Sequence, residues 1–301
     1  MAIKPYLQLV RLPNVFTAAA DSLAGWLLVR GTLGEPERWL PLTLASMAIY
    51  AAGIALNDVF DYDLDRVERP SRPLPSGRVS RRFAAWLGAG LLVLGPVLAA
   101  LSGSWASFSV ASALALCVLT YDAALRRTVL GPEVMGACRG LNVLLGMSQA
   151  ARLGGGTGTL VTGSLALFVM GVTWISRSET ESGRRAGIAG GIVLELLGVL
   201  GLAYVAVKPI GFVTEGPRPP SYWVGGLLVL LAVSAIVGMA DVRALRRPVP
   251  ATVQKAVKTG VLALVWLNVG VVAAVRGPMW GLAVASLWVP AFLLGRRLYS
   301  T

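Results

Sequence analysis

The chain has 301 residues, 55% of them hydrophobic and only 14% charged, and its mean hydropathy is +0.70. Soluble domains carry about 25% charged residues, so a soluble globular class is excluded and a polytopic membrane protein is expected. With a net charge of +12, no histidine and two cysteines, the chain offers no imidazole as base or metal ligand and suggests no disulfide framework.

In chain order, ten apolar stretches of roughly bilayer-spanning length stand at about 13–30, 40–59, 83–101, 104–122, 130–151, 157–176, 186–206, 222–241, 254–275 and 277–295. Several are rich in small residues, as in Gly187-Ile188-Ala189-Gly190-Gly191, which lets helix backbones approach closely. The expected fold is an all-α polytopic membrane protein, a bundle of nine or ten transmembrane helices forming one domain over residues 1–301. Cys117 and Cys138 fall inside apolar stretches and read as buried structural thiols. The first stretch carries Asp21 and lacks a clear cleavage site, so it reads as a retained helix and not a signal peptide.

Basic residues cluster after the even-numbered stretches: Arg66 to Arg82 after the second, Arg126 and Arg127 after the fourth, Arg177, Arg184 and Arg185 after the sixth, Arg243 to Lys258 after the eighth, and Arg296 and Arg297 after the tenth. The positive-inside rule puts these on the cytoplasmic face, with both chain ends inside if ten stretches cross. Most of the net charge is thereby accounted for by topology. Dispersed over short connections and without a recognisable module, it gives no reason to expect a nucleic-acid partner.

The densest polar information lies at the end of the second stretch. Asn57, Asp61 and Asp65 are spaced i, i+4, i+8, so on a helix they drift by only about 40° per step and present oxygens along one face. Such a ladder suits Mg²⁺, which takes one or two carboxylates plus substrate phosphates, and so implies a diphosphate partner. Arg69 and Arg72 follow in a segment stiffened by Pro70, Pro73 and Pro75, placed to meet phosphate oxygens. Asp58 and Asp63 point off the ladder face and read as outer or solvated groups. Arg139 and Asn142, three apart in an apolar helix, share a face that lines an interior. Asp21, Glu133, Glu195 and Asp241 are ionisable groups near membrane depth, with interhelical pairing and function both open as readings.

Asn57-Asp58-x-x-Asp61-x-x-x-Asp65, followed by Arg69-Pro70-x-Arg72-Pro73-Leu74-Pro75-Ser76-Gly77, resembles the first signature of the UbiA superfamily of intramembrane prenyltransferases. Arg11-Leu12-Pro13-Asn14, Tyr121 through Arg127 and Arg139-Gly140-Leu141-Asn142 add weaker support by their order. The resemblance implies a helical bundle around a central cavity open sideways to lipid, with two acidic motifs facing the cytoplasm. It also implies the inner (cytoplasmic) membrane of a prokaryote as the location, and Mg²⁺-assisted ionisation of a polyprenyl diphosphate whose prenyl group passes to a small-molecule acceptor. By that carry-over Asp61, Asp65 and Arg72 are catalytic; Arg69, Arg72 and Arg126 bind diphosphate; Asn57, Asp61, Asp65, Glu179 and Glu181 hold metal; and Asn14, Tyr121, Arg139 and Asn142 line the acceptor cavity.

The chain departs from the family pattern at three places. The second motif, normally two aspartates four apart, keeps only Glu179 and Glu181, two apart. Nine crossings are usual in the family, against ten stretches here. The basic residue usually found four after the helix-four tyrosine is Leu125, and Arg126 arrives one position later. A transporter, or a non-catalytic lipid-binding protein using the acids for ions, is the alternative. Alcohol phosphatidyltransfer lacks its Asp-Gly-x-x-Ala-Arg signature.

Overall fold

The computed structural model describes residues 3–150, 156–178, 185–208 and 218–298, and all its regular elements are helices. In order they are α1 (Lys4–Leu9), α2 (Leu12–Arg30), α3 (Pro36–Phe60), α4 (Tyr62–Glu68), α5 (Arg81–Ala100), α6 (Trp105–Thr120), a π-helical turn (Tyr121–Leu125), α7 (Gly131–Met147), α8 (Gly156–Arg177), α9 (Arg185–Val207), α10 (Pro220–Arg246), α11 (Pro250–Arg276), α12 (Pro278–Ala285) and α13 (Trp288–Leu298). Proline opens α3, α10, α11 and α12, where its fixed φ is preorganised and its missing N–H costs nothing. Ser80 caps α5 by accepting from Phe83 N at 3.2 Å.

Among the described residues nine helical segments are long and apolar enough to cross a membrane, which makes this an integral membrane protein. The one predicted stretch not among these nine is α7, whose 17 residues rise about 25 Å. It nevertheless runs between the same two levels as its neighbours. Its first turn adjoins the Arg126 carbonyl, which accepts from Arg177 at 3.0 Å, while past its far end Ser148 meets Ser107 at 2.7 Å. The tenth stretch breaks into α12 and α13 but still returns: Arg276 bonds Leu28 O at one end, and Leu298 O accepts from Gln8 at 2.8 Å at the other. Both described ends of the chain therefore lie at the same end of the bundle as Arg78, which donates to Gln8 at 3.3 Å.

Glycines set the closest crossings. Gly25 and Gly146 face Val143 O and Ser22 O so closely that a Cβ at either would strike backbone, and Gly171 and Gly191 meet each other's carbonyls in the same way. Of the small-residue run in α9, it is Gly191 that makes this approach; Gly190 faces open space. In the α6–α7 seam Cys117 and Cys138 are free thiols with sulfurs 3.3 Å apart.

Candidate active site

A cavity of about 420 Å³ opens between α3, α6, α7, α8 and α11, with Arg11 at the start of α2 beside it. Its wall is mainly aliphatic, including Ile49, Val118, Val169, Val172 and Leu264, and its polar side chains include Asn57, Tyr121, Asp122, Arg11, Arg139 and Asn142. Apolar pockets with a few convergent polar groups are the usual form of a small-molecule site.

The ladder holds its predicted alignment across a helix break. α3 stops at Phe60 and α4 starts at Tyr62, but the i→i+4 bonds continue through the junction: Asp61 N to Asn57 O at 2.9 Å, Asp65 N to Asp61 O at 2.8 Å. Asp61 and Asp65 are both buried. Each carboxylate is clamped by arginine. Asp61 pairs with Arg126 and, at 3.1 Å, with Arg127; Asp65 pairs with Arg72 at 2.6 Å. Burial pushes the Asp61 carboxyl up, but the hydrogen bonds and charges of Arg126 and Arg127 outweigh it and hold the group below the ordinary carboxylate value. Burial likewise pulls Arg126 down, and Asp61 more than reverses this.

Of the two readings of Asp58 the solvated one falls: it is 3% exposed and, from behind the ladder, takes Arg11 at 3.3 Å and Arg72 at 3.4 Å, so Arg72 bridges two acids. Asp63 is the exposed one. Asn14 is not among the residues lining the cavity; Arg11 is, because its left-handed backbone (φ 45°) at the α1–α2 junction brings its side chain to Asp58. Glu133 lies exposed in the first turn of α7, where negative charge suits the helix dipole. Arg69 is exposed beyond α4, whereas Arg72 reaches the acids.

Tyr121, Arg139 and Asn142 line the cavity. Halfway along the bundle Arg139 pairs with Asp21 at 2.6 Å, and Asn142 and Asn268 donate to the same carboxylate at 3.0 and 2.7 Å, so interhelical pairing is the correct reading of Asp21. Glu179 and Glu181 lie outside the described residues. Arg177, ending α8, bonds the Arg126 carbonyl, so α8 reaches the acidic end just before them.

Two features escaped the sequence. Asp122 is buried at the cavity wall and accepts from Asn57 Nδ2 at 3.1 Å; it was visible as one acid beside Tyr121, with nothing to mark its partner. The second is the π-turn. Arg126 N bonds Tyr121 O at 2.9 Å, an i→i+5 closure that holds one residue more than an α-turn. That extra residue absorbs the one-position delay of the basic residue, so Arg126 faces Asp61 although Leu125 holds the usual place.

The UbiA prenyltransferase family model matches residues 18–241. The chain belongs to the UbiA prenyltransferase family. Among UbiA-type relatives, a digeranylgeranylglyceryl phosphate synthase of Metallosphaera sedula is 34% identical over 145 residues, 48% of this chain and 51% of that protein. One of the same name from Thermococcus kodakarensis is 29% identical over 168 residues, 56% and 58% of the two chains. The chain thus spans about half the length of the curated relatives it matches. Two solved structures share the fold. One, from work on digeranylgeranylglyceryl phosphate synthase in membranes, has a TM-score of 0.67 at 21% identity, covering 91% of this chain and 99% of the other. The other, a UbiA homologue from Archaeoglobus fulgidus bound to GPP and Mg²⁺, has a TM-score of 0.59 at 16% identity, covering 94% and 99%.

No three carboxylates converge as a ready cation nest among the described residues. Mg²⁺ needs no such nest, since one or two carboxylates plus phosphate oxygens suffice. Asn57, Asp61 and Asp65 offer oxygen donors only, the set a hard cation takes, and on that chemistry the residues fit it.

Proposed function

We propose that this chain is an intramembrane prenyltransferase that moves a prenyl group from a polyprenyl diphosphate to an anionic, hydroxyl-bearing acceptor. The observation that carries the reading is that the ladder runs from Asn57 in the cavity wall to Asp61 and Asp65, which Arg126 and Arg72 hold just beyond that wall. A transporter or passive lipid binder gives no reason for a phosphate clamp beside the carboxylates.

Asn57, Asp61 and Asp65 would hold Mg²⁺, with Glu179 and Glu181 as further ligands. Bound there, the ion would supply Lewis-acid stabilisation of the charge that builds on the leaving diphosphate. Arg72 and Arg126, today paired with carboxylates, would turn their guanidinium forks to the diphosphate oxygens, with Arg69 recruited from the surface. The aliphatic wall holds the isoprenoid tail and keeps water from the allylic carbon as its C–O bond to diphosphate breaks. The acceptor hydroxyl forms the new C–O bond and loses its proton. Asp122, whose Oδ1 is engaged by Asn57, would receive that proton on Oδ2.

Similarity to digeranylgeranylglyceryl phosphate synthases favours a glyceryl phosphate already carrying one prenyl chain as acceptor. Arg11 in the cavity wall, 34% exposed, suits its phosphate. By the arginine distribution the acidic end faces the cytoplasm, in the inner membrane of a prokaryotic cell. The test is a reconstituted assay with geranylgeranyl diphosphate and geranylgeranylglyceryl phosphate, read by mass spectrometry and by released diphosphate, with and without EDTA. A product carrying two chains, formed only with Mg²⁺, is expected. An aromatic acceptor prenylated in its place overturns the acceptor assignment, and no transfer to any acceptor overturns the reaction.

A further inference from the structure

Two contacts follow each other along the seam between α3 and α6. Gly53 lies four residues before Asn57 on α3, and Val118 four residues before Asp122, where α6 runs into the π-turn. At the first contact a Cβ built on Gly53 would come within 2.7 Å of Val118 Cγ1 and 3.7 Å of Asp122 Oδ2. At the second, Asn57 Nδ2 donates to Asp122 Oδ1 at 3.1 Å. All four residues line the cavity, and so do Tyr50 and Leu114 on the side away from the acids. Among the described residues Gly53 is the one glycine in that wall. Val118 thus seats on bare α3 backbone at the edge of the cavity, one turn from the Asn57–Asp122 bond.

Val118 has little freedom to step aside, because a β-branched side chain on a helix holds essentially one χ1 rotamer. A methyl group at position 53 is therefore accommodated by parting the two backbones. Ordinary contact begins at 3.4 Å, so the seam would open by about 0.7 Å. The neighbouring 3.1 Å bond would lengthen to about 3.8 Å, beyond hydrogen-bond reach. Arg126, just past Asp122, reaches Asp61 through a long side chain that absorbs such a shift; the short Asp122 side chain does not. We propose that Gly53 is a positioning residue for the transfer reaction: by seating Val118 it draws α6 against α3 and holds Asp122 where the acceptor hydroxyl meets it. The inference rests on the reading of Asp122 as the group that takes the acceptor's proton.

In the reconstituted assay Gly53→Ala is expected to lower kcat about 10²-fold, the effect of a misplacement near 1 Å. The KM for geranylgeranyl diphosphate should stay within about threefold, since the arginines that bind it are not displaced. The deciding arm is a second-site rescue. Gly53→Ala combined with Val118→Ala, in which the opposing Cγ1 is gone, should match the kcat of Val118→Ala alone to within about twofold. Should Gly53→Ala fail to fold, Val118→Ile crowds the same contact from α6 and should lower kcat with the same unchanged KM. A Gly53→Ala protein with full kcat, a loss that persists in the double variant, or a Val118→Ile protein at full rate overturns the inference. Asp122→Asn tells its failure from that of the proton-acceptor reading: normal turnover there overturns both, whereas an inactive Asp122→Asn beside a fully active Gly53→Ala overturns the positioning role alone.

Discussion

At the end of the α3–α4 ladder and halfway along the bundle the same side chains meet, arginine and aspartate, under different solvent conditions. Arg72 and Arg126 are about one-fifth exposed where they hold Asp65 and Asp61. Arg139 is 8% exposed and its partner Asp21 not at all. In the first region an incoming anion can compete for the arginines, because both guanidiniums keep some contact with water. In the second, Asp21 is also bound by two asparagines from α7 and α11, and three helices depend on one carboxylate. Ion pairs of the first kind can serve chemistry; those of the second kind serve the fold and present a fixed polar wall to the cavity.

The largest expected effect breaks the buried pair. Asp21→Asn leaves Arg139 charged and without its counterion, which in a buried setting costs about 3–5 kcal/mol. Thermal unfolding followed by size-exclusion chromatography should show a marked loss of stability, whereas Arg72→Ala, which removes a guanidinium about one-fifth exposed, should lower the melting point by less. Equal melting points for the two would erase the distinction between the regions.

Next is Asp61→Ala. It removes an anionic ligand and frees Arg126 and Arg127, so turnover should fall about 10²–10³-fold, the scale of losing one preorganised electrostatic contact at a reacting charge. Expression and melting point should persist, and the Mg²⁺ concentration needed for half-maximal rate should rise. Unchanged turnover would move the metal site elsewhere.

How much of this was legible follows from where helices are continuous. The period of an α-helix relates side chains along one unbroken element, so the ten apolar stretches, the Asn57–Asp61–Asp65 face and the Arg139–Asn142 face could be read directly. The α3–α4 break did not spoil the ladder because its i→i+4 bonds carry across the junction. What could not be read sits where the backbone departs from that period. Arg11 is turned by a left-handed residue, so it and not Asn14 reaches the cavity. Asp58 depends on Arg11 and Arg72, partners 47 and 14 residues away. Asp122 depends on Asn57, 65 residues off. Long-range pairing of polar groups leaves no periodic trace.

The smallest effect tests the π-turn, and it separates two neighbouring arginines that the sequence presents as equals. Both donate to Asp61 Oδ1. Arg126 is 20% exposed and closes the i→i+5 turn through its own N–H, whereas Arg127 is 69% exposed. If the extra residue in the turn brings Arg126 to the diphosphate, Arg126→Ala removes a sheltered charge-assisted hydrogen bond worth about 1.5–3 kcal/mol. The KM for the prenyl diphosphate should then rise by about tenfold or more. Arg127→Ala removes a mostly solvated pair worth about 0–1 kcal/mol, and its KM should change by less than about fivefold. Arg126→Lys keeps the charge and loses the fork, so it should recover only part of the affinity. A larger effect at Arg127 than at Arg126 would mean that the π-turn does not set the register of the phosphate clamp.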